Sequence, residues 1–287
     1  MQFRTEYKAK QSKPLDPRHN ICLIGSCFSE NIGQKMTESG WNACINPCGV
    51  IYNPASIERL ISLAIEDDKA KHRIIQESLT TRDGRWASWL FSGHFGGATK
   101  EEAEVSCLEA LNRLKVAIET SMAIIITLGT AHVYYRAGEI VNNCHKYPEK
   151  EFYRQRLSVD KCKEILGKQI DILHTYNRNL RVIYTVSPVR HLRDGFEGNN
   201  CSKATLILAL NEIIESGKEA EYFPAYEILM DDLRDYRFYA DDLLHPSSRG
   251  IEYIWEKFKN TYLSQDDIDY LKVGLSKYKA SQHKEIF

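Results

Sequence analysis

The sequence predicts an α/β protein, a three-layer α/β/α sandwich built on a parallel sheet. Three observations carry that prediction. Short apolar runs at 21–24, 122–128 and 180–186 stop at glycine or just before proline. The first two contain no charge, as strands buried on both faces require. Segments of helical periodicity separate the later runs, and strand–helix alternation implies right-handed parallel crossovers.

Each element follows from its local pattern. "ICLIGSCFSE" is a strand that breaks at Gly25, after which "FSENIGQKM" begins a helix. Residues 42–100 are less regular: two Asn-Pro steps favour turns, and "TRDGRWASWLFSGHFGG" reads as a hairpin turning at Asp83-Gly84. Val105, Leu108, Leu111 and Ile118 are spaced as one helix face. "SVDKCKEILGKQIDILHTYN" is a helix capped by Ser158, with Ile165, Leu166, Ile172 and Leu173 facing inward. "LRVIYTVSP" is a strand stopped by Pro188, and "SKATLILALNEIIESG" a helix that Gly217 caps. "AEYFPAYEIL" reads as extended and interrupted by Pro224, and a further helix begins near Pro246. No repeat or linker appears. The expectation is one domain over 1–287, with an irregular insertion near 42–100 and a polar helical tail from about 264.

Composition excludes several functions. Lys plus Arg is 38 against 39 Asp plus Glu, and no basic block occurs, so a nucleic-acid partner is not expected. No apolar run reaches the ~18 residues of a membrane span. The first twenty residues lack the apolar core of a signal peptide. A cytoplasmic protein with no membrane partner is expected. Of eight cysteines, none form a C-x-x-C pair. A zinc site drawing on Cys27, Cys144 and His145 is a minor alternative, and no metal or other cofactor is expected.

Two stretches carry chemistry. In "YADDLLHPSSRG", Asp242 stands three residues before His245, so one loop can supply a base and the carboxylate that fixes its tautomer. A surface Asp beside a helix-capping His is the alternative. In "IGSCF", a hydroxyl and a thiol lie side by side where ligands bind in parallel sheets, outside the carboxyl ends of the strands. Arg190, His191 and Arg193 follow another strand at that edge. Asn143 and His145 in "VNNCHKYP", and His94 between Gly93 and Phe95, could line the same cleft.

These blocks resemble the SGNH (GDSL) hydrolase superfamily. "GSCFS" is similar to the name-giving motif of the GSCFA family within it, as are "NPCGVIYNP", "TLGTAHVY", "NCHK", "TVSPVRHLRDG" and "YFPAYEI". The resemblance implies a flavodoxin-like sheet and ester hydrolysis or acyl transfer through a covalent acyl-enzyme. Substrates would be small-molecule or carbohydrate esters. Cys27 falls at the nucleophile position, Ser26 one place earlier; Asp242 and His245 would complete the catalytic set. "GTAHV" aligns with the block that supplies an oxyanion-hole Asn, but Ala131 stands at the Asn and His132 at the Asp. Losing one such donor costs about 2.7 to 4 kcal/mol. Gly49, in "NPCGV", falls at the second-block glycine that supplies another oxyanion donor, and Asn53, His132 or Asn143 could supply the missing one; Arg190 and His94 could bind substrate. A nucleophilic Cys27 should also be the most reactive thiol of the eight. The alternative is a non-catalytic glycan- or metabolite-binding protein that keeps the cleft.

Overall fold

The computed structural model describes residues 5–284. The ends of the expected single domain, 1–4 and 285–287, lie outside the described residues. Strand β1 (Ile21–Gly25), helix α1 (Cys27–Glu38) and β2 (Ala43–Ile45) come first, then α2 (Pro54–Ile65) and α3 (Asp68–Ser78). Next are β3 (Leu79–Arg82), β4 (Arg85–Ser88), the short β5 (Gly96–Gly97), α4 (Lys100–Thr120) and β6 (Ala123–Leu128). β7 (His132–Arg136), β8 (Glu139–Val141) and β9 (Tyr153–Arg156) lead to α5 (Val159–Tyr176) and β10 (Arg181–Val186). α6 (Gly195–Glu215) and β11 (Glu221–Phe223) follow. α7 (Ala225–Glu227) runs into a π-helical turn over Ile228–Leu233, before α8 (Ser248–Tyr262) and α9 (Gln265–Lys284).

The central sheet is parallel, in the order β11-β10-β6-β1-β2. Counted along the chain this is 2-1-3-4-5, the flavodoxin-like order. Alternate residues of each central strand enter two separate cores. Cys22, Ile24, Ile124, Ile126, Val182 and Tyr184 pack with α2, α4, α5 and α6. Ile21, Leu23, Ala123, Ile125 and Ile183 pack with α1, α8 and the turn after α7. That division is why these strands read as unbroken apolar runs: both faces are covered. Two small antiparallel sheets, β3-β4-β5 and β8-β7-β9, are added outside the main one.

Three local expectations change. The stretch 42–100 contains α2 and α3, because Pro54 occupies the first turn of a helix behind its cap, Asn53, rather than a turn. Val105 is exposed, since α4 buries Ala103, Cys107, Ala110, Leu111 and Leu114 instead. Extended structure ends at Phe223, and Pro224 becomes the cap of α7. Among the described residues, no helix is long and apolar enough to cross a membrane.

Candidate active site

The β1–α1 turn is made by the sequence itself. Gly25 has φ +129°, and a Cβ there would lie 2.1 Å from the Thr127 carbonyl oxygen of β6. Only glycine lets the backbones approach this closely. Ser26 is fully buried, and its Oγ accepts from the Phe28 amide at 3.3 Å as the N-cap of α1. Cys27 is then the first residue of the helix and is partly exposed. Burial pushes the Cys27 thiol up, with Glu30 adding to it; its own amide, the Lys203 ammonium and the Phe28 amide act the other way. Cys44 is the more acidic thiol, pulled down to about 7 by a hydrogen bond from Cys22, its partner across β1 and β2. High acidity therefore does not single out Cys27.

The second part is the loop before α8. Asp242 Oδ2 and His245 Nδ1 are 2.6 Å apart, and Asp242 Oδ1 accepts from the Leu244 and His245 amides at 2.9 Å each. Those amides first, then the imidazole, hold the Asp242 carboxyl at about 2, below the ordinary range. The Arg190 amide donates to the Leu244 carbonyl at 3.1 Å, which ties this loop to the segment leaving β10.

Burial raises the Tyr52 phenol pKa, with Cys27 and then Glu30 adding to it. The Tyr52 ring meets His191 edge-on, with centroids 5.5 Å apart. Burial takes His191 down to about 4, with Lys203 and His245 contributing. His191 Nε2 is buried without a hydrogen-bond partner among the described residues. No hydrogen bond joins His245 to Cys27 among those residues, as is common before substrate binds.

The other expected residues separate into two groups. Arg190 lies beside the His245 loop, its amide on the Leu244 carbonyl and its guanidinium near Tyr239 Oη and Met230 Sδ. His132 is close by, 3.5 Å from Asp194 Oδ2, and Asp194 is paired with Arg154. Burial, then Arg154, lowers the His132 pKa. Gly49 and Asn53 are already engaged: the Gly49 amide donates to the Asn46 carbonyl, and the Asn53 amide group caps α2 and reaches Ser56 Oγ. Asn143 and His145 lie on the loop between β8 and β9, against the end of β4. Asn143 Oδ1 accepts from the His145 amide, and His145 Nε2 is 2.8 Å from the Ser88 carbonyl. His94 is exposed before β5 and makes no hydrogen bond among the described residues. A cavity of about 710 Å³ opens between α2, α3, α5 and β7–β8, and neither Cys27 nor His245 lines it. Among the described residues no three His, Cys, Asp or Glu side chains converge as a metal site would, so Cys27, Cys144 and His145 do not form one.

Tyr52 and Lys203 were not anticipated. Lys203 left a signal: it lies on the same α6 stripe as Leu206, Leu210 and Ile213, all buried. A lysine at positions i, i+3, i+7 and i+10 of an apolar face must have an acceptor inside the fold.

Comparison with known proteins follows from this geometry. Among curated proteins, none matches the chain. An acetyl xylan esterase from Butyrivibrio proteoclasticus is similar at 10% identity and TM-score 0.45, over 87% of this chain and 64% of that one. A carbohydrate esterase family 2 enzyme from Corynascus thermopiles has 11% identity and TM-score 0.45, over 87% and 67%. A GDSL-like lipase from Bacteroides thetaiotaomicron has 11% identity and TM-score 0.41, over 87% and 90%. Residues 20–258 match the GSCFA family across most of the chain, and the protein belongs to that family.

Proposed function

We propose that the protein is a thiol-dependent ester hydrolase or acyltransferase acting through an acyl-enzyme. Cys27 is the nucleophile, His245 the general base and then the general acid, and Asp242 the residue that orients it. The observation that carries this reading is the 2.6 Å Asp242–His245 contact, on a loop tied to the sheet edge where Cys27 opens α1. With Nδ1–H donated to the carboxylate, Nε2 is left as the acceptor. Burial keeps the Cys27 thiol protonated near neutral pH, so attack needs such a base. Ser26 is the weaker nucleophile because its hydroxyl is buried in the helix cap.

In the first half-reaction Nε2 takes the thiol proton. The thiolate forms a C–S bond to the ester carbonyl carbon, and the carbonyl π pair moves to oxygen. Collapse breaks the C–O bond, and the leaving alkoxide takes the proton from the imidazolium. Water or a second alcohol then attacks the thioester, with His245 again as base. Collapse breaks the C–S bond, acid or new ester leaves, and the thiolate takes the proton back from the imidazolium to restore the enzyme. The substrate is a small-molecule or carbohydrate ester, and no cofactor enters these steps.

A second reading, a non-catalytic glycan- or metabolite-binding protein, is favoured by Ala131 at the usual oxyanion position. p-Nitrophenyl acetate separates the two. The enzyme reading expects acetylation at Cys27 by intact and peptide mass, lost in Cys27→Ala and strongly slowed in His245→Ala. Folded wild-type protein that releases no nitrophenolate and stays unmodified supports the binding reading instead.

A further inference from the structure

Lys203, on α6, is 1% exposed. Its Nζ donates to the Gly129 carbonyl, just beyond β6, and to the Ser187 carbonyl, just beyond β10, each at 2.7 Å. The neighbouring Ser202 grips the same turn, with its Oγ accepting from the Ala131 amide at 2.8 Å. The Gly129 and Thr130 amides in turn donate to the Tyr52 carbonyl. The turn that carries Ala131 is thus held by α6 on one side and by the segment before α2 on the other.

An ammonium has three N–H groups. Two are accounted for by the carbonyls, and the third has no acceptor among the described residues. The nearest aromatic face, Tyr226, is 5.7 Å from Nζ. Burial pulls the Lys203 ammonium down to about 7, so the third N–H is present only while the group keeps its charge, and a ligand that accepts from it would hold that charge in place. After burial, the groups that act on Lys203 are Cys27, which raises its pKa when ionised as the thiolate, and Arg190, a cation on the segment after β10, which lowers it. The Gly49 amide and one N–H of the Asn53 side chain are engaged, and Ala131 offers no side-chain donor.

We infer that Lys203 is the oxyanion donor of the reaction proposed above, its third N–H taking the place of the amide absent at Ala131. The inference rests on that reading. As the C–S bond forms, negative charge moves to the carbonyl oxygen, and a fixed cationic donor stabilises that charge without rearranging. The Cys27 amide, first in its helix, supplies the companion donor. No proton leaves Lys203. The Gly129 and Ser187 carbonyls hold the ammonium in place, which pre-organises it.

The test compares two reactions of the same thiol. Acylation by p-nitrophenyl acetate creates an oxyanion, whereas alkylation by iodoacetamide creates none. In Lys203→Met, acylation of Cys27 should fall roughly 10²–10³-fold. Its alkylation, read by site-resolved mass spectrometry at the high-pH plateau, should stay within about threefold of wild type. Lys203→Arg, which keeps charge and donors, should recover part of the acylation rate. Equal losses in both reactions would make Lys203 a structural clamp or a thiolate counter-ion and overturn the inference; so would no loss in either. Wild-type protein that is never acylated at Cys27 removes the parent reading and this one together, an outcome distinct from those two. If the variants do not fold, a wild-type crystal structure decides. A trifluoromethyl ketone added to Cys27 as a hemithioketal should place its oxyanion within hydrogen-bond reach of Lys203 Nζ. An oxyanion held by backbone amides alone overturns the inference.

Discussion

The exit edge of the parallel sheet and the two antiparallel side sheets are both rich in polar residues, yet they use them differently. In the side sheets most polar groups satisfy one another, and the unpartnered nitrogens among the described residues, Arg82 Nη1, Arg136 Nε and Arg154 Nε, belong to guanidinium groups already ion-paired through another nitrogen. His145 meets the Ser88 carbonyl, Asn143 the His145 amide, and Tyr147 Oη bonds Thr80 and the Thr81 carbonyl. At the exit edge several polar groups are left open. His191 Nε2 is buried without a partner, Lys203 retains one N–H, and the Cys27 thiol makes no side-chain hydrogen bond among the described residues. Antiparallel strands turn directly into their neighbours, so their ends are consumed by the sheet. Parallel strands leave the sheet into crossovers, and their ends remain free to face a ligand.

That contrast predicts the order of mutational effects. The largest belongs to Cys27→Ala, which should abolish acylation outright while leaving the melting temperature nearly unchanged. Residual acylation at position 26 would move the nucleophile to the serine and break the comparison. Next is Asp242→Asn. It should lower turnover by about 10⁴-fold through the wrong imidazole tautomer, with the fold intact by circular dichroism. Unchanged turnover would make the pair a loop staple, like those of the side sheets.

A smaller effect sharpens the electrostatics. Because burial raises the Cys27 thiol, its alkylation rate should climb through a midpoint above the ordinary thiol range. Cys44, at about 7, should label first at neutral pH. A Cys27 midpoint below the ordinary range would indicate a preformed thiolate and remove the need for His245 as base. Ser26→Ala should then cost about 1 kcal/mol of stability through loss of the cap, measured by denaturant unfolding, with alkylation of Cys27 retained. The least effect on chemistry is expected from His145→Asn. It should lower stability by roughly 1 kcal/mol and leave acylation of Cys27 within error. A large loss of acylation there would join the side sheets to the site.

Much of the fold was legible because burial on both faces writes itself as unbroken apolar runs, as in Ile21–Ile24 and Ala123–Leu128. The Asp242–His245 pair was legible because three residues of one loop suffice to make it. α2 was obscured by its Asn-Pro step, which turns and helix starts share. The face of α4 was misjudged because small residues, Ala103 and Ala110, face the core while the larger Val105 faces solvent. Tyr52 gave no local signal, since its place beside Cys27 depends on how the segment before α2 meets β6.

By itself the sequence determined the parallel α/β architecture, the glycine turn after β1, the family and the His–Asp loop. Each of these depends on neighbours within a few residues or on periodicity along the chain. Only the tertiary structure distinguished the adjacent Ser26 and Cys27 environments, one hydroxyl buried as a cap and the other side chain partly exposed at the first position of α1. Only the tertiary structure brought Lys203, some 75 residues beyond the turn it holds, onto the Gly129 and Ser187 carbonyls. The physical reason is that a partner for a buried charge is chosen by where strand ends and helices meet in space, and no pattern along the chain records that meeting.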